Sequence, residues 1–205
     1  MNQKPEIETN NSTIEAVEYV VKALQSKFKG EQKELHKVTS VERHKHRFDT
    51  VDAVKKEVTG TGSIRVIAQK VEHQRREGGY QVGNVHFVAF VMTNDQYGKN
   101  RDLRAELIAG RLGTFVTTAS FSQALGKLAH QQVVSSNWQN LTTNTFDGIG
   151  VSMWAVTWQQ ECRLNVPLDL NLMDAFLTLG LTADQGKGAP ELKANIKLPQ
   201  EEDNE

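Results

Sequence analysis

Asn84-Val85-His86-Phe87-Val88-Ala89-Phe90-Val91-Met92 is almost continuously apolar, and its reading decides the fold. A strand with one wet face alternates polar and apolar residues. A short run that is apolar throughout suits a central strand covered on both faces. Layers of structure must therefore lie above and below it, and the rest of the chain has to supply them.

Downstream, the polar loop 93–100 leads into a predicted helix over 101–117. Leu103, Leu107, Ile108, Leu112 and Phe115 are expected to face one side, with Arg101, Arg104, Glu106 and Arg111 mostly elsewhere. Ala109-Gly110 and Gly113 permit close packing against a neighbouring backbone, at some cost in helix propensity. Residues 120–126 fit a short helix or a loop equally. Strands are predicted at 131–141 and 150–165, joined by a turn over 142–148. The later strand puts Trp154 and Trp158 on one face, with Met153 and Ala155 on the other. Two large faces make it central, or covered by another subunit.

Upstream, residues 70–83 are polar and carry Gly78-Gly79 and Gly83, which reads as a solvated loop. Before it, 63–69 is β-branched and partly alternating, a strand entered from the turn 59–63. The stretch 31–56 is highly charged, with Leu35, Val38, Val41 and Phe48 as its apolar anchors. It predicts an exposed strand over 34–47, then an irregular or short helical segment over 50–57. Ser12-Thr13-Ile14-Glu15 is a capping box. Apolar residues at Ile14, Val17, Val21, Leu24 and Phe28 continue it as an amphipathic helix, with Gly30 as its terminal cap.

The two ends read differently from the middle. Residues 1–11 are polar and expected to be loose, and 12–181 form the domain. Leu168-Asp169-Leu170-Asn171-Leu172 alternates before an apolar stretch over 175–179. From 182 to 205, six acidic residues face three lysines, among Gly186, Gly188, Pro190 and Pro199. That composition predicts a flexible acidic arm.

Composition narrows the function classes. Among 205 residues, 24 Lys+Arg balance 25 Asp+Glu, which argues against a generally basic nucleic-acid binder. No apolar run approaches the roughly 20 residues a membrane helix needs. The first residues lack the apolar core of a signal peptide, and the one cysteine, Cys162, has no intramolecular partner. A soluble intracellular protein is expected. Arg43-His44-Lys45-His46-Arg47, Lys55-Lys56 and Arg75-Arg76 are locally basic, but Glu42, Asp49, Glu57 and Glu77 stand near enough to pair with them. Sequence-specific nucleic-acid binding is not expected.

Catalytic chemistry finds no foothold. His44-Lys45-His46 has ligand spacing, yet no paired cysteines and no HExxH motif complete a metal site. His36, His73, His86 and His130 are isolated. No GxSxG elbow occurs, and Gly60-Thr61-Gly62 and Gly148-Ile149-Gly150 are too short for a phosphate-binding loop. Asp95, Asp102 and Glu106 are the carboxylates that a loop-to-helix junction brings nearest one another. Cys162 sits mid-strand as a buried, inert thiol. No enzyme activity, metal or cofactor is expected.

The order of elements resembles the tail terminator (tail completion) proteins of Mu-like contractile-tailed phages, over residues 13–181. The likeness is carried by the opening amphipathic helix, the strand Val85 to Met92, and the polar loop and Arg/Leu-rich helix from Asn94 to Phe115. The late strand from Val151 to Leu164, with Val156-Thr157-Trp158-Gln159, completes it. The charged stretch 31–56 is longer than that pattern, and the acidic tail lies outside it. The resemblance implies an α/β (α+β) subunit with helices on a mixed central sheet, assembled with copies of itself as a hexameric ring. Such a ring caps the tail tube protein, stops its polymerisation and offers a docking surface to the head-tail connector, with the tail sheath as a further contact. It implies a place in the virion tail or neck, and in the host cytoplasm during assembly. Candidate interface residues are Trp154 and Trp158, then Leu170, Leu172 and Phe176, and Arg75, Arg76 and Tyr80 of a loop that orders on docking. A different class of protein remains open: a small intracellular α/β enzyme or ligand-binding domain, its pocket near Asn94 and Arg104 at the end of the apolar strand.

Overall fold

The computed structural model describes residues 7–45, 51–58, 60–96, 98, 100–164, 178–183 and 192–197. Two units divide the chain, Met1–Val166 and Pro167–Glu205. In the first, α1 (Thr13–Phe28), β1 (Ser40–Arg43), α2 (Val51–Glu57), β2 (Gly62–Glu77) and β3 (Tyr80–Thr93) come in turn. α3 (Arg101–Val116), α4 (Ala119–Ala124), β4 (Ser136–Asn140), α5 (Asn144–Gly148) and β5 (Ser152–Arg163) complete it. The strands make one five-stranded sheet in the order β1-β2-β3-β5-β4. β1 runs parallel to β2 and every other pairing is antiparallel, so the sheet is mixed and the fold is α+β. In the second unit, β6 (Thr178–Ala183), which straddles the expected end of the domain at 181, pairs antiparallel with β7 (Leu192–Lys197), which lies inside the segment read as an arm. The acidic end, 198–205, lies outside the described residues.

β3 is central, as its composition requires. Val85, Phe87, Ala89 and Val91 enter the larger core beneath α1, α3 and α4. Met92 and Phe90 join a smaller cluster on the opposite face, closed by Val54 of α2, Met153 of β5, Phe146 of α5 and Ile149 just after it. Arg65 holds α2 down: it is 5% exposed, donates to Ser40 Oγ at 2.8 Å and to the Glu57 carbonyl at 3.2 Å, and ion-pairs with the Glu57 carboxylate.

α1 begins as its sequence predicts. Ser12 Oγ accepts from the Glu15 N–H at 3.3 Å, while the Glu15 carboxylate reaches back to the N–H of Asn11. Its end differs. Lys29, in extended conformation, is the cap residue, and the Gly30 N–H donates to the Val38 carbonyl at 3.0 Å. Gly30 thus leads into a bridge between Lys29 and Val38 and is not a left-handed cap.

Several expected boundaries also move. Among the described residues the strand expected over 34–47 is confined to β1, because turns hold the preceding residues: the Lys37 N–H donates to the Glu34 carbonyl at 2.9 Å. Residues 46 and 47 lie outside the described residues. The loop expected over 70–83 is the distal half of a β2–β3 ribbon. Gly78 and Gly79, at φ 57° and 80°, make the two-residue turn that matches strand twist. Val71, Val82 and Gly83 at its base are covered, but from 72 to 81 both faces are half-exposed or exposed, so the segment carries no sustained hydrophobic alternation. Irregular registers at Ala68/Lys70 and Glu72/Arg75 re-aim it along its length. The strand expected over 131–141 shortens to β4, the turn over 142–148 contains α5 capped by Thr143, and the undecided 120–126 carries α4 and a 3₁₀ turn.

Cys162 is fully buried on β5, and burial pushes its thiol up to about 12. The thiolate, the reactive form, is therefore suppressed in the folded protein. We expect thiol reagents at neutral pH to label Cys162 only at the rate of unfolding. Denaturant should bring that rate up to a free cysteine's, and rapid labelling of the native protein would contradict the buried position.

Candidate functional site

A largely apolar concavity lies along α3, between the end of α1 and the edge strand β4. It is a groove of ≈ 1180 Å³ lined by Phe28, Leu103, Leu107, Gly110, Phe115 and Trp138, with Lys27, His36, Lys37, Glu106 and Arg111 at its rim.

The groove exists because α3 buries a different arc from the one its leucines suggest. Its buried residues are Arg104, Ala105, Ile108, Ala109, Leu112, Gly113 and Val116. At roughly 100° per residue, Leu103 lies nearly opposite the centre of that arc. Small residues at Ala105, Ala109 and Gly113 let the helix sit close to its neighbours, and the leucines are left outside. Leu103 is 64% exposed and Leu107 43%. The expectation that both face one side with Ile108 and Leu112 is corrected accordingly.

Trp138 is the third component, and no sequence signal beyond a lone tryptophan among polar neighbours marks it. It stands on β4, 43% exposed. A side chain on Gly113 would meet the Trp138 ring at 2.6 Å, so the indole rests directly on the helix backbone. Ser136 Oγ, from the same strand, donates to the Gly113 carbonyl at 2.7 Å. Gly110, by contrast, has nothing within 4 Å of where a Cβ would be, and forms open floor. We expect Gly110→Ala to stabilise the fold by about 0.5–1 kcal/mol through helix propensity alone, read as a higher urea midpoint at unchanged slope.

Basic groups dominate the rim. Lys37 pairs with Glu34 at 2.7 Å, whereas Lys27 and Arg111 make no ion pair among the described residues. A ligand for this groove needs apolar anchors and negative charge.

The residues singled out from sequence fall elsewhere. Trp158 is 3% exposed and lies in the core, stacked on Phe87 at 5.3 Å and edge-on to Phe121 at 6.0 Å. Trp154 is half-buried against the same core. On the ribbon, Arg75 donates to both Glu161 oxygens at 2.8 and 2.9 Å and to Glu77 at 2.9 Å. Those hydrogen bonds hold the Glu161 carboxyl below the usual carboxylate range. Arg76 is exposed, and Tyr80 carries the Arg163 guanidinium over its ring at 5.0 Å. Leu170, Leu172 and Phe176 lie outside the described residues.

Asp95, Arg101 and Arg104, between Asn94 and Arg104, are engaged with side chains or backbone of the fold. Asp95 accepts from the Arg101 backbone N–H at 2.9 Å and from its guanidinium at 2.5 Å, and Arg101 also pairs with Asp147. Arg104 donates to three carbonyls, those of Leu35, Asn94 and Thr61. The wall formed by 131–137 and the open face of β3 and β5 encloses a second, polar cleft of ≈ 410 Å³, lined by Gln69, Asn84, His86 and Gln159 among others. There Asn84 donates to Gln159 at 2.8 Å, and His86 Nε2 lies 2.7 Å from Glu72. Among the described residues, no three His, Cys, Asp or Glu are grouped to hold a metal ion, and no helix is long and apolar enough to cross a membrane. His44 packs edge-on to Phe90, and His46 lies outside the described residues.

The sequence matches no protein-family model and no curated protein.

Proposed function

We propose that the chain is a structural assembly subunit of the phage tail terminator kind. Copies of it close into a ring on the end of a tail tube, stop its growth and present a surface to the head-side connector. The supporting observation is the α3 groove. A subunit with Leu103, Leu107 and Trp138 exposed side by side has apolar surface that favours burial against another protein. The order of elements that resembles the tail terminators gives that partner its identity.

Tube growth tests the reading. Purified protein added to polymerising tail tube protein should halt elongation and appear as a cap at one tube end in electron micrographs. Leu107→Glu, which puts a charge on the groove wall without touching the core, should lose capping while keeping the wild-type unfolding curve. Tubes that elongate at the same rate with and without the wild-type chain would overturn the proposal.

A further inference from the structure

The groove has a complement elsewhere on the same chain. Ile7 is 86% exposed, and it sits between Glu6 and Glu8 in the sequence. An apolar residue between two carboxylates matches an apolar floor bordered by Lys27 and Arg111, which make no ion pair among the described residues. We propose that the segment around Ile7 of one copy seats in the α3 groove of the next, head to tail. Ile7 packs on Leu103, Leu107 and Trp138, and the flanking carboxylates meet Lys27 and Arg111.

Geometry excludes the copy's own groove. α1 has 16 residues, so roughly 24 Å of helix, at about 1.5 Å per residue, separates Ser12 from the groove at Phe28. Five residues lead back from Ser12 to Ile7, which at full extension span at most about 18 Å. They are not fully extended, because the Ser12 N–H donates to the Thr9 carbonyl at 3.2 Å and folds the chain into a turn. The segment falls short of the Phe28 end of its own groove, and Ile7 stands exposed on its own copy, which leaves it to a second molecule. Groove and segment are different surfaces, so the contact is heterologous and propagates into a closed ring or an open chain. Gly110 gives the incoming backbone open floor to approach. This deepens the assembly reading by naming the surfaces that meet, and it rests on that reading only for closure of the ring.

Light scattering on full-length chains across a concentration series tests it. The wild type should associate beyond a dimer. Ile7→Asp and Leu107→Glu should each associate at least about tenfold more weakly and run as monomers, both unfolding like the wild type. Mixed one to one, each supplies the surface the other lacks, and the mixture should form dimers and stop there. Arg111→Glu should weaken association, and adding Glu8→Arg to it should restore association. Ile7→Asp protein that assembles like the wild type, a mixture that stays monomeric, or wild type monomeric at every concentration would each overturn the inference. Head-to-tail chains that never cap a tube would sink the ring reading while leaving this contact standing. Capping that survives Ile7→Asp would do the reverse.

Discussion

Trp158→Ala should lower the folding free energy by about 3–5 kcal/mol, the largest loss expected of any single substitution in this chain. Trp158 is at the middle of β5, opposite Phe87 of β3, and its ring is stacked on that phenylalanine and capped edge-on by Phe121 of α4. Truncation leaves a large hole that sheet residues on one side and helix residues on the other are too constrained to fill. A loss of this size is a large share of the roughly 5–15 kcal/mol that holds a domain together. Trp158→Phe provides a milder companion, removing part of the ring and keeping the aromatic contact. Urea unfolding at several protein concentrations reads the result. A loss that does not change with concentration is a loss from the monomer core, and one that appears only where the protein associates would mean Trp158 serves an interface. Trp138→Ala should change monomer stability by less than about 1 kcal/mol, since that indole is already half in water.

Arg104→Ala should cost about 3 kcal/mol or more. The side chain is 3% exposed and makes no ion pair among the described residues. Its guanidinium donates instead to Leu35 O at 3.1 Å, Asn94 O at 2.7 Å and Thr61 O at 2.8 Å. Those carbonyls belong to the turn region before β1, the loop after β3 and the residue leading into β2. One planar fork therefore ties three connections to α3. Burial depresses the Arg104 pKa, opposed by the field of Asp95, yet an arginine in proteins stays charged, and the carbonyl dipoles hold that charge. Alanine leaves three inward carbonyls without a donor. Lysine restores the charge but not the fork, and should recover less than half of the loss. Hydrogen exchange should show protection lost first at the start of β2 and α3. Wild-type protection in Arg104→Ala would refute the role. An activity abolished by this substitution would reflect unfolding of that junction and would not identify a ligand-binding arginine.

Local chemistry made much of the framework legible. The apolar run 84–92 needs cover on both faces wherever it sits, and β3 lies between β2 and β5 with a cluster on each side. Ser12 and Glu15 act on backbone groups within one turn, so the start of α1 is readable from four residues. The distal ribbon was harder. A hairpin whose tip, 72–81, is wet on both faces has the composition of a loop, and only Gly78-Gly79 hinted at a tight turn there. Glu161 on β5 pairs with Arg75, far away along the chain, and no spacing rule announces such a contact.

While the α+β class was expected from what the order of elements resembles, periodicity alone determined the central strand, two helices and a late tryptophan strand. Each of these depends on how a residue sits relative to neighbours a few positions away. Tertiary structure decided which tryptophan is core and which is surface, and which arc of α3 faces inward. Leu103 and Leu107 are as apolar as Ile108 and Leu112. What separates them is that the sheet lies on the side of Ala105, Ala109 and Gly113, where small side chains allow close approach. Burial is set by the distance between elements remote in sequence, so the groove comes into view only once those elements are packed.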